Sequence, residues 1–368
     1  MKKYKFIISG GGTGGHIFPA LSIADGLRKR YPESEILFVG AEGKMEMEKV
    51  PAHGYRIVGL PVAGFHRGEI IRNLGFLPKL LKSLWKARSV VRNFNPDCVV
   101  GVGGYASGPV LRIATQLGIP TLLQEQNSYA GITNKILGKK ASKICVAYDR
   151  MERFFPKDKI ISTGNPVRSG LDNLAAKPDE AYTFFNIEKG RPVVLVVGGS
   201  LGARTLNQSM VAGFEAISQS GVQFIWQCGK YYYNDMKVAL EVRPVANIHL
   251  MEFISRMDLA YAVADVVISR AGAGTISELC LVGKPSVLVP SPNVAEDHQT
   301  SNAMALVDKG AALLVKDIEA KEKLIAETIG LVNDKAACEK LSDNIKKLAT
   351  PKATEHIVEV ISTLIEKR

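Results

Sequence analysis

The chain has 368 residues, more than one hydrophobic core organises, so its length predicts two domains. Hydrophobic residues make up 46% and charged residues 23%, a globular composition that excludes disordered, collagenous and coiled-coil classes, and no apolar run approaches the ~20 residues of a membrane span. The formal net charge of +11 is lopsided: residues 1–164 carry 25 Lys/Arg against 12 Asp/Glu, residues 165–368 carry 22 against 24, and the first half is expected to meet something anionic. Nucleic acid, an anionic membrane surface and a phosphorylated substrate all satisfy that charge.

The opening MKKYKFIISGGGTGGH has too few apolar residues before its glycines for a signal-peptide core and reads as a first strand, Lys5–Ser9. Further apolar runs predict strands at Ile36–Gly40, Cys98–Gly101, Thr121–Gln124 and Ile144–Ala147. In the second half they fall at Val193–Gly198, Gln223–Gln227, Val266–Ser269 and Ser286–Pro290. Runs this continuously apolar predict parallel sheets covered on both faces, with right-handed βαβ units between them. The strand, glycine loop and helix opening of Phe6–His16 returns at Val193–Thr205, so two similar doubly wound α/β domains are expected. GNPVRSG, Gly164–Gly170, interrupts the pattern and predicts a division into residues 1–164 and 165–350. Residues 351–368 read as a terminal helix with Ile357, Val358, Val360, Ile361 and Ile365 apolar, whose packing partner the pattern does not assign. Cys98, Cys145, Cys228, Cys280 and Cys338 form no CxxC pair and sit among apolar residues, which predicts buried thiols in a reducing cytoplasm.

Gly10–Gly15, GGGTGG, satisfies G-x-G-x-x-G between a strand and a helix, a pattern that brings backbone N–H groups and a helix N-terminus to a diphosphate. Glu42 lies where a dinucleotide site places its ribose-binding acid, so spacing leaves NAD open. Against NAD stand His16 directly after the glycines and two more glycine loops, Gly101–Pro109 and Gly198–Arg204. The segment SRAGAGTISE, Ser269–Glu278, is a second anion cradle: Gly272 and Gly274 make room and Thr275 donates. Glu278, about a turn into the following helix, suits a ribose diol. Gln299, in EDHQTSNA, has an amide able to donate to and accept from sugar hydroxyls. No D-x-D, H-x-x-x-H or GK[ST] occurs.

Between His66 and Asn95 lie Arg67, Arg72, Lys79, Lys82, Lys86, Arg88 and Arg92, opposed within that stretch only by Glu69. Leu77, Leu80, Leu84 and Trp85 are interleaved with them, and Pro78 suits a helix opening. An ordinary core face would explain the leucines. A surface lying on anionic lipid explains the leucines, Trp85 and the one-sided charge together, through Leu77, Lys79, Leu80, Lys82, Leu84, Trp85 and Lys86. Nucleic acid is disfavoured, because the basic residues are interleaved mainly with Leu and Ile.

GGGTGGHIFPA (Gly10–Ala20), GVGGYASGP, QEQN (Gln124–Asn127), GNPVR (Gly164–Arg168), GGSLGAR, SRAGAGTISE and DHQTSNA stand in an order and spacing that resemble the MurG family of bacterial N-acetylglucosaminyltransferases. The resemblance implies a GT-B glycosyltransferase fold, two Rossmann-like domains facing a cleft. It implies UDP-N-acetylglucosamine as donor, bound without metal or other cofactor, and undecaprenyl-pyrophosphoryl-MurNAc-pentapeptide as acceptor. It further implies a peripheral place on the cytoplasmic face of the plasma membrane, with other cell-wall and division proteins as partners. By matching motifs, Ser200 and Arg168 would contact the donor diphosphate together with Ala273, Gly274 and Thr275. Glu278 would hold the ribose, Gln299 the sugar hydroxyls, and backbone groups of Ile254 the uracil edge. Thr13, Gly14, Gly15 and Asn127 would close on the sugar and acceptor. His16 would be the general base, with Glu125 a second catalytic candidate and Gly104, Tyr105, Glu125 and Asn127 on the acceptor. Leu201, Ser255, Arg256 and His298 depart from the residues common in the family, at positions to which no chemistry is assigned. Another GT-B transferase acting on a different lipid is the alternative enzyme, and a basic nucleotide-binding protein the alternative outside that class.

Overall fold

The computed structural model describes residues 3–62, 76–168, 170, 171, 174, 177–199, 201–294 and 297–366. Among them two sheets form. The first contains β1 (Lys5–Ser9), β2 (Glu35–Ala41), β3 (Arg56–Leu60), β4 (Cys98–Gly101), β5 (Thr121–Glu125), β6 (Lys143–Val146) and β7 (Ile160–Ser162), in the order β3-β2-β1-β4-β5-β6-β7. The second contains β8 (Val193–Val197), β9 (Gln223–Gln227), β10 (Ile248–Met251), β11 (Val266–Ser269), β12 (Ser286–Leu288) and β13 (Leu313–Leu314), in the order β10-β9-β8-β11-β12-β13. Every pairing in both is parallel.

Coverage on both faces explains why these strands are apolar without alternation. Phe6 and Ile8 enter one core with Ile17, Ala20, Ile23 and Leu27 of the helix Gly14–Arg30. Ile7, between them, enters the opposite core with Val110, Leu111 and Ala114 of the helix Ser107–Gln116. In the second sheet Val194 and Val196 pack with Leu206 and Met210, while Val193 and Leu195 pack with Ile276 and Leu279. The nine strands predicted from apolar runs are the interior strands. The four that the runs do not mark, β3, β7, β10 and β13, are the four sheet edges. An edge strand meets one neighbour and more solvent, so it needs no solid apolar run; all four residues of β10 are half-buried.

Two compact units result: residues 1–168 together with 352–368, and residues 169–351. The first unit thus extends four residues past the expected division at 164, because Asn165 is buried against β5. Its Nδ2 donates to the Gln126 carbonyl and its Oδ1 accepts from Gln124 Nε2, both at 2.9 Å. The terminal helix, Ala353–Glu366, belongs to the first unit. Ile357, Val358, Ile361 and Ile365 join the core of the helix Gly14–Arg30, and Tyr31 donates its hydroxyl to Ser362 Oγ at 2.6 Å. Gly26 permits the approach, since a Cβ there would sit 2.6 Å from Thr354 Cγ2. Cys98, Cys145, Cys228 and Cys280 are buried and Cys338 half-buried. Burial pushes the Cys98, Cys145 and Cys280 thiols up to about 12.

Ile361→Ala is expected to destabilise the first unit by about 2–5 kcal/mol, the usual range for emptying a buried aliphatic site. Far-UV circular dichroism should show an earlier unfolding transition. The fluorescence of Trp226, buried in the second unit, should keep its midpoint.

Candidate functional site

β1 lies between β2 and β4, and β8 between β9 and β11, so in each sheet the chain leaves adjacent strands toward opposite sides. Such a switch point opens a crevice at the carboxyl ends of the strands. The loops that follow β1, β4, β8 and β11 are the four glycine-rich segments of the sequence.

In the first unit the loops after β1 and β4 meet backbone to backbone. Gly104 has φ +85°, and a Cβ on it would lie 2.4 Å from the Gly11 carbonyl oxygen. The Ser107 hydroxyl faces the carbonyls of Ser9 and Gly103, at 2.7 and 2.8 Å, and ties the helix opening to β1. His16, in the first turn of the helix Gly14–Arg30, places Nδ1 3.1 Å from the Gly11 carbonyl and 3.3 Å from Thr13 Oγ1. Its Nε2 lies against Gly103, where a Cβ would approach to 2.8 Å. Thr13 and Gly15 are exposed, Gly14 and Gly104 half-buried, and Tyr105 presents a largely exposed ring.

Glu125, at the end of β5, is buried and spent on its own loop. Oε1 accepts from the Asn127 N–H at 3.1 Å and from Asn127 Nδ2 at 3.4 Å. Oε2 accepts from the Gly131 N–H at 3.1 Å and from Asn134 Nδ2 at 2.9 Å. Four donors fill the carboxylate, so its evident work is to hold residues 127–131 in place. Glu42 pairs with Lys86 at 2.8 Å, and that ion pair accounts for the acid whose spacing left NAD open.

In the second unit the helix Ala273–Val282 begins at Gly272, and its first N–H groups have no partner within the helix. A Cβ on Gly274 would meet nothing within 4 Å, so the helix opening faces free space at Gly274, with Ala273 buried and Thr275 half-buried beside it. Glu278 is buried beside Tyr261, whose hydroxyl donates to Oε2 at 2.9 Å. Gln299 opens the helix His298–Val307, and its Oε1 accepts from the Ser291 N–H at 2.8 Å. The acceptor half of that amide therefore serves the protein. The Ile254 N–H donates to Gln227 Oε1 at 2.9 Å, and Gln227 Nε2 donates to the Gly199 carbonyl at 3.0 Å. One buried amide thus clips two loops. Arg256 is drawn to Asp258 and Glu180, at 2.7 and 2.8 Å.

Ser200 lies outside the described residues, as do the side chain of Leu77 and the basic residues Arg67 and Arg72. Arg168 is exposed at the end of the first unit. The helix Phe76–Phe94 buries Ser83, Ala87 and Val91, with Leu80 and Leu84 half-buried. Leu81 and Trp85, one turn apart, are 60% and 75% exposed, with Lys79 and Lys82 exposed nearby. No described helix is long and apolar enough to cross a membrane, and among the described residues no three His, Cys, Asp or Glu side chains gather as a metal would require.

Two family models match in tandem: the glycosyltransferase family 28 N-terminal domain over residues 6–146 and its C-terminal domain over residues 193–358. The UDP-N-acetylglucosamine–N-acetylmuramyl-(pentapeptide) pyrophosphoryl-undecaprenol N-acetylglucosamine transferase of Parabacteroides distasonis is 56% identical over 368 residues, covering 100% of each chain. The transferase of the same name from Flavobacterium psychrophilum is 53% identical, again over 100% of each chain. The crystal structure of Acinetobacter baumannii MurG superposes with a TM-score of 0.77 at 29% identity, covering 98% of this chain and 100% of that one. The chain belongs to glycosyltransferase family 28, among the MurG transferases. It is a glycosyltransferase of GT-B fold.

Three side chains that brace these loops carry no signal in the sequence. Glu46, Gln227 and Tyr261 lie in no glycine motif, and each acts through a partner distant along the chain. Gln227→Met keeps the bulk and loses both hydrogen bonds. It is expected to cost about 1–3 kcal/mol, since the Ile254 N–H and Gly199 carbonyl lose their partner. Urea unfolding followed by Trp226 fluorescence should shift to lower concentration, and the Ile254 amide should exchange faster with deuterium.

Proposed function

We propose that this transferase moves N-acetylglucosamine from UDP-N-acetylglucosamine to the C4 hydroxyl of undecaprenyl-pyrophosphoryl-MurNAc-pentapeptide. The observation that carries the reading is the 56% identity, over the whole of both chains, to a transferase named for that reaction. The acceptor oxygen bonds to the anomeric carbon as the bond from that carbon to the diphosphate breaks. The sugar inverts to a β-1,4 link and UDP leaves. The second unit takes the donor. The helix opening at Ala273–Thr275, with Ser200 and Arg168, stabilises the diphosphate charge that grows as the bond breaks. Glu278, oriented by Tyr261, accepts from the ribose hydroxyls. Gln299 turns its NH2 group to the sugar, and Ile254 offers its carbonyl to the base, because the Ile254 N–H is engaged by Gln227.

The first unit takes the acceptor at Thr13, Gly14, Gly15, Gly104, Tyr105 and Asn127, and His16 receives the hydroxyl proton. Glu125 shapes the Asn127 loop and is not the base, since its oxygens already accept from four donors. Transfer of labelled N-acetylglucosamine to a lipid-linked MurNAc-pentapeptide, with EDTA present, tests the reading. Activity on another lipid acceptor alone would replace the substrate. His16→Ala is expected to cut turnover by ~10²-fold or more while UDP affinity, measured by calorimetry, stays within about twofold.

The acceptor's polyprenyl chain resides in a bilayer, so the enzyme works at a membrane surface. The helix Phe76–Phe94 supports a peripheral contact, with Leu81 and Trp85 entering the interface and Lys79 and Lys82 meeting anionic headgroups. Lys86 contributes less than its neighbours because Glu42 pairs with it. Each basic residue near such a surface contributes about 1 kcal/mol. Changing Lys79 and Lys82 to Glu together with Trp85→Ser should release the protein from anionic vesicles in sedimentation assays. Transfer to a short water-soluble acceptor should survive.

A further inference from the structure

Glu46 is an acidic side chain that no motif predicts, 1% exposed, at the start of the helix Glu46–Ala52. Two backbone groups donate to it: the Gly12 N–H to Oε2 and the Ala41 N–H to Oε1, both at 2.9 Å. The loop is shaped to admit it, since a Cβ on Gly11 would fall 2.2 Å from Oε1 and a Cβ on Gly40 would fall 2.6 Å from its Cγ. Among the described residues, no ion pair within 4.0 Å is found for Glu46. A carboxylate this deep, met by backbone amides, strongly fixes the direction of those amides.

The Gly12 N–H and the Gly11 carbonyl are the two ends of one peptide group. Its N–H points to Glu46, and its oxygen faces His16 Nδ1 at 3.1 Å. A carbonyl oxygen only accepts, so Nδ1 carries the hydrogen and the neutral ring keeps its lone pair on Nε2. We infer that Glu46 is a positioning residue that acts on His16 through the Gly11–Gly12 peptide, holding the Nδ1–H tautomer and making the ring a stronger proton acceptor at Nε2. The carboxylate polarises the peptide, the peptide oxygen becomes a better acceptor, and the imidazolium formed on proton uptake is stabilised. The peptide must present N–H and C=O to opposite sides with φ +148° at Gly11 and +87° at Gly12. Gly12 in particular lies where other residues are strained.

Two other titratable groups stand on segments next to the Gly103 turn that the ring packs against. Glu125, from β5, is linked to it through Asn134, whose Nδ2 donates to Glu125 at 2.9 Å and lies 3.7 Å from the Cβ position of Gly103. Tyr105 follows Gly103 by two residues and is exposed. The Glu125 carboxylate accepts from Asn127, Gly131 and Asn134, so a change at Glu46 leaves those bonds in place. The effect on turnover rests on the assignment of His16 as the base.

The experiment uses the full-length enzyme and Glu46→Gln, which keeps length and removes charge. Turnover is expected to fall at least about fivefold with KM for UDP-N-acetylglucosamine within about twofold. A less basic imidazole holds its proton less tightly, so the acidic limb of the kcat profile should move about half a pH unit lower. The 15N resonances of His16 should titrate lower by the same amount. Glu46→Asp, which keeps the charge, should return the limb toward the wild-type position. An unmoved His16 titration overturns the inference, whatever happens to turnover. A moved titration with an unmoved kcat limb supports the relay and overturns instead the assignment of His16 as base. If Glu46→Gln does not fold, the wild-type 15N spectrum still decides, because an Nε2–H tautomer at His16 overturns the inference.

Discussion

Backbone has to touch backbone where loops from neighbouring strands meet in each sheet, and the rest of the site depends on it. In the first unit the Gly104 backbone rests on the Gly11 carbonyl. In the second, a Cβ on Gly202 would lie 2.0 Å from the Cys228 carbonyl, and one on Gly229 would lie 2.1 Å from the Gly202 nitrogen. Both Gly202 and Gly229 also have positive φ, so a side chain there is excluded by space and by conformation alike. Contacts this close bring loops from neighbouring strands within reach of one small ligand. The helix opening of the second unit is left open at Gly274, where a Cβ would meet nothing within 4 Å, which suits the binding of phosphate.

Loops made of glycine have little stiffness of their own, and the structure supplies it from buried polar side chains. Glu46 holds the loop after β1, Glu125 the loop after β5, and Gln227 the loops after β8 and β10. Each is a strand-end or helix-start residue whose side-chain oxygen or nitrogen bonds backbone groups that would otherwise be buried without partners. The glycines give proximity and the buried carboxylates and amides give direction. Catalysis by preorganised dipoles needs both, since a donor that must reorient during reaction loses its advantage.

The same division of labour separates the faces of the first unit. The helix Phe76–Phe94 spends Ser83, Ala87 and Val91 on the core and leaves Leu81 and Trp85 outside, while its neighbour Glu42 offsets Lys86. The return of the terminal helix to the first unit closes the core beneath β1, where Ile357 and Ile361 meet Ile23 and Leu27. The first unit is thereby completed by residues 352–368.

The parallel interior strands, the glycine loops and the family were legible in the sequence, because burial on both faces and close backbone approach each restrict residue type at adjacent positions. Phe6–Ile8 and Gly10–Gly15 show both restrictions within a few residues of one another. The four edge strands were not legible, since an edge shares its surface with solvent and tolerates mixed residues. Nor were the roles of Glu46, Gln227 and Tyr261, the filling of Glu125, or the partner of the terminal helix. Each depends on a contact between residues far apart in the chain: Gly12 with Glu46, Gln227 with Ile254, Tyr261 with Glu278, and Tyr31 with Ser362. Local pattern determines what a segment must bury. Only the folded chain decides which distant backbone group a buried carboxylate or amide will meet, because that pairing is set by packing and not by spacing.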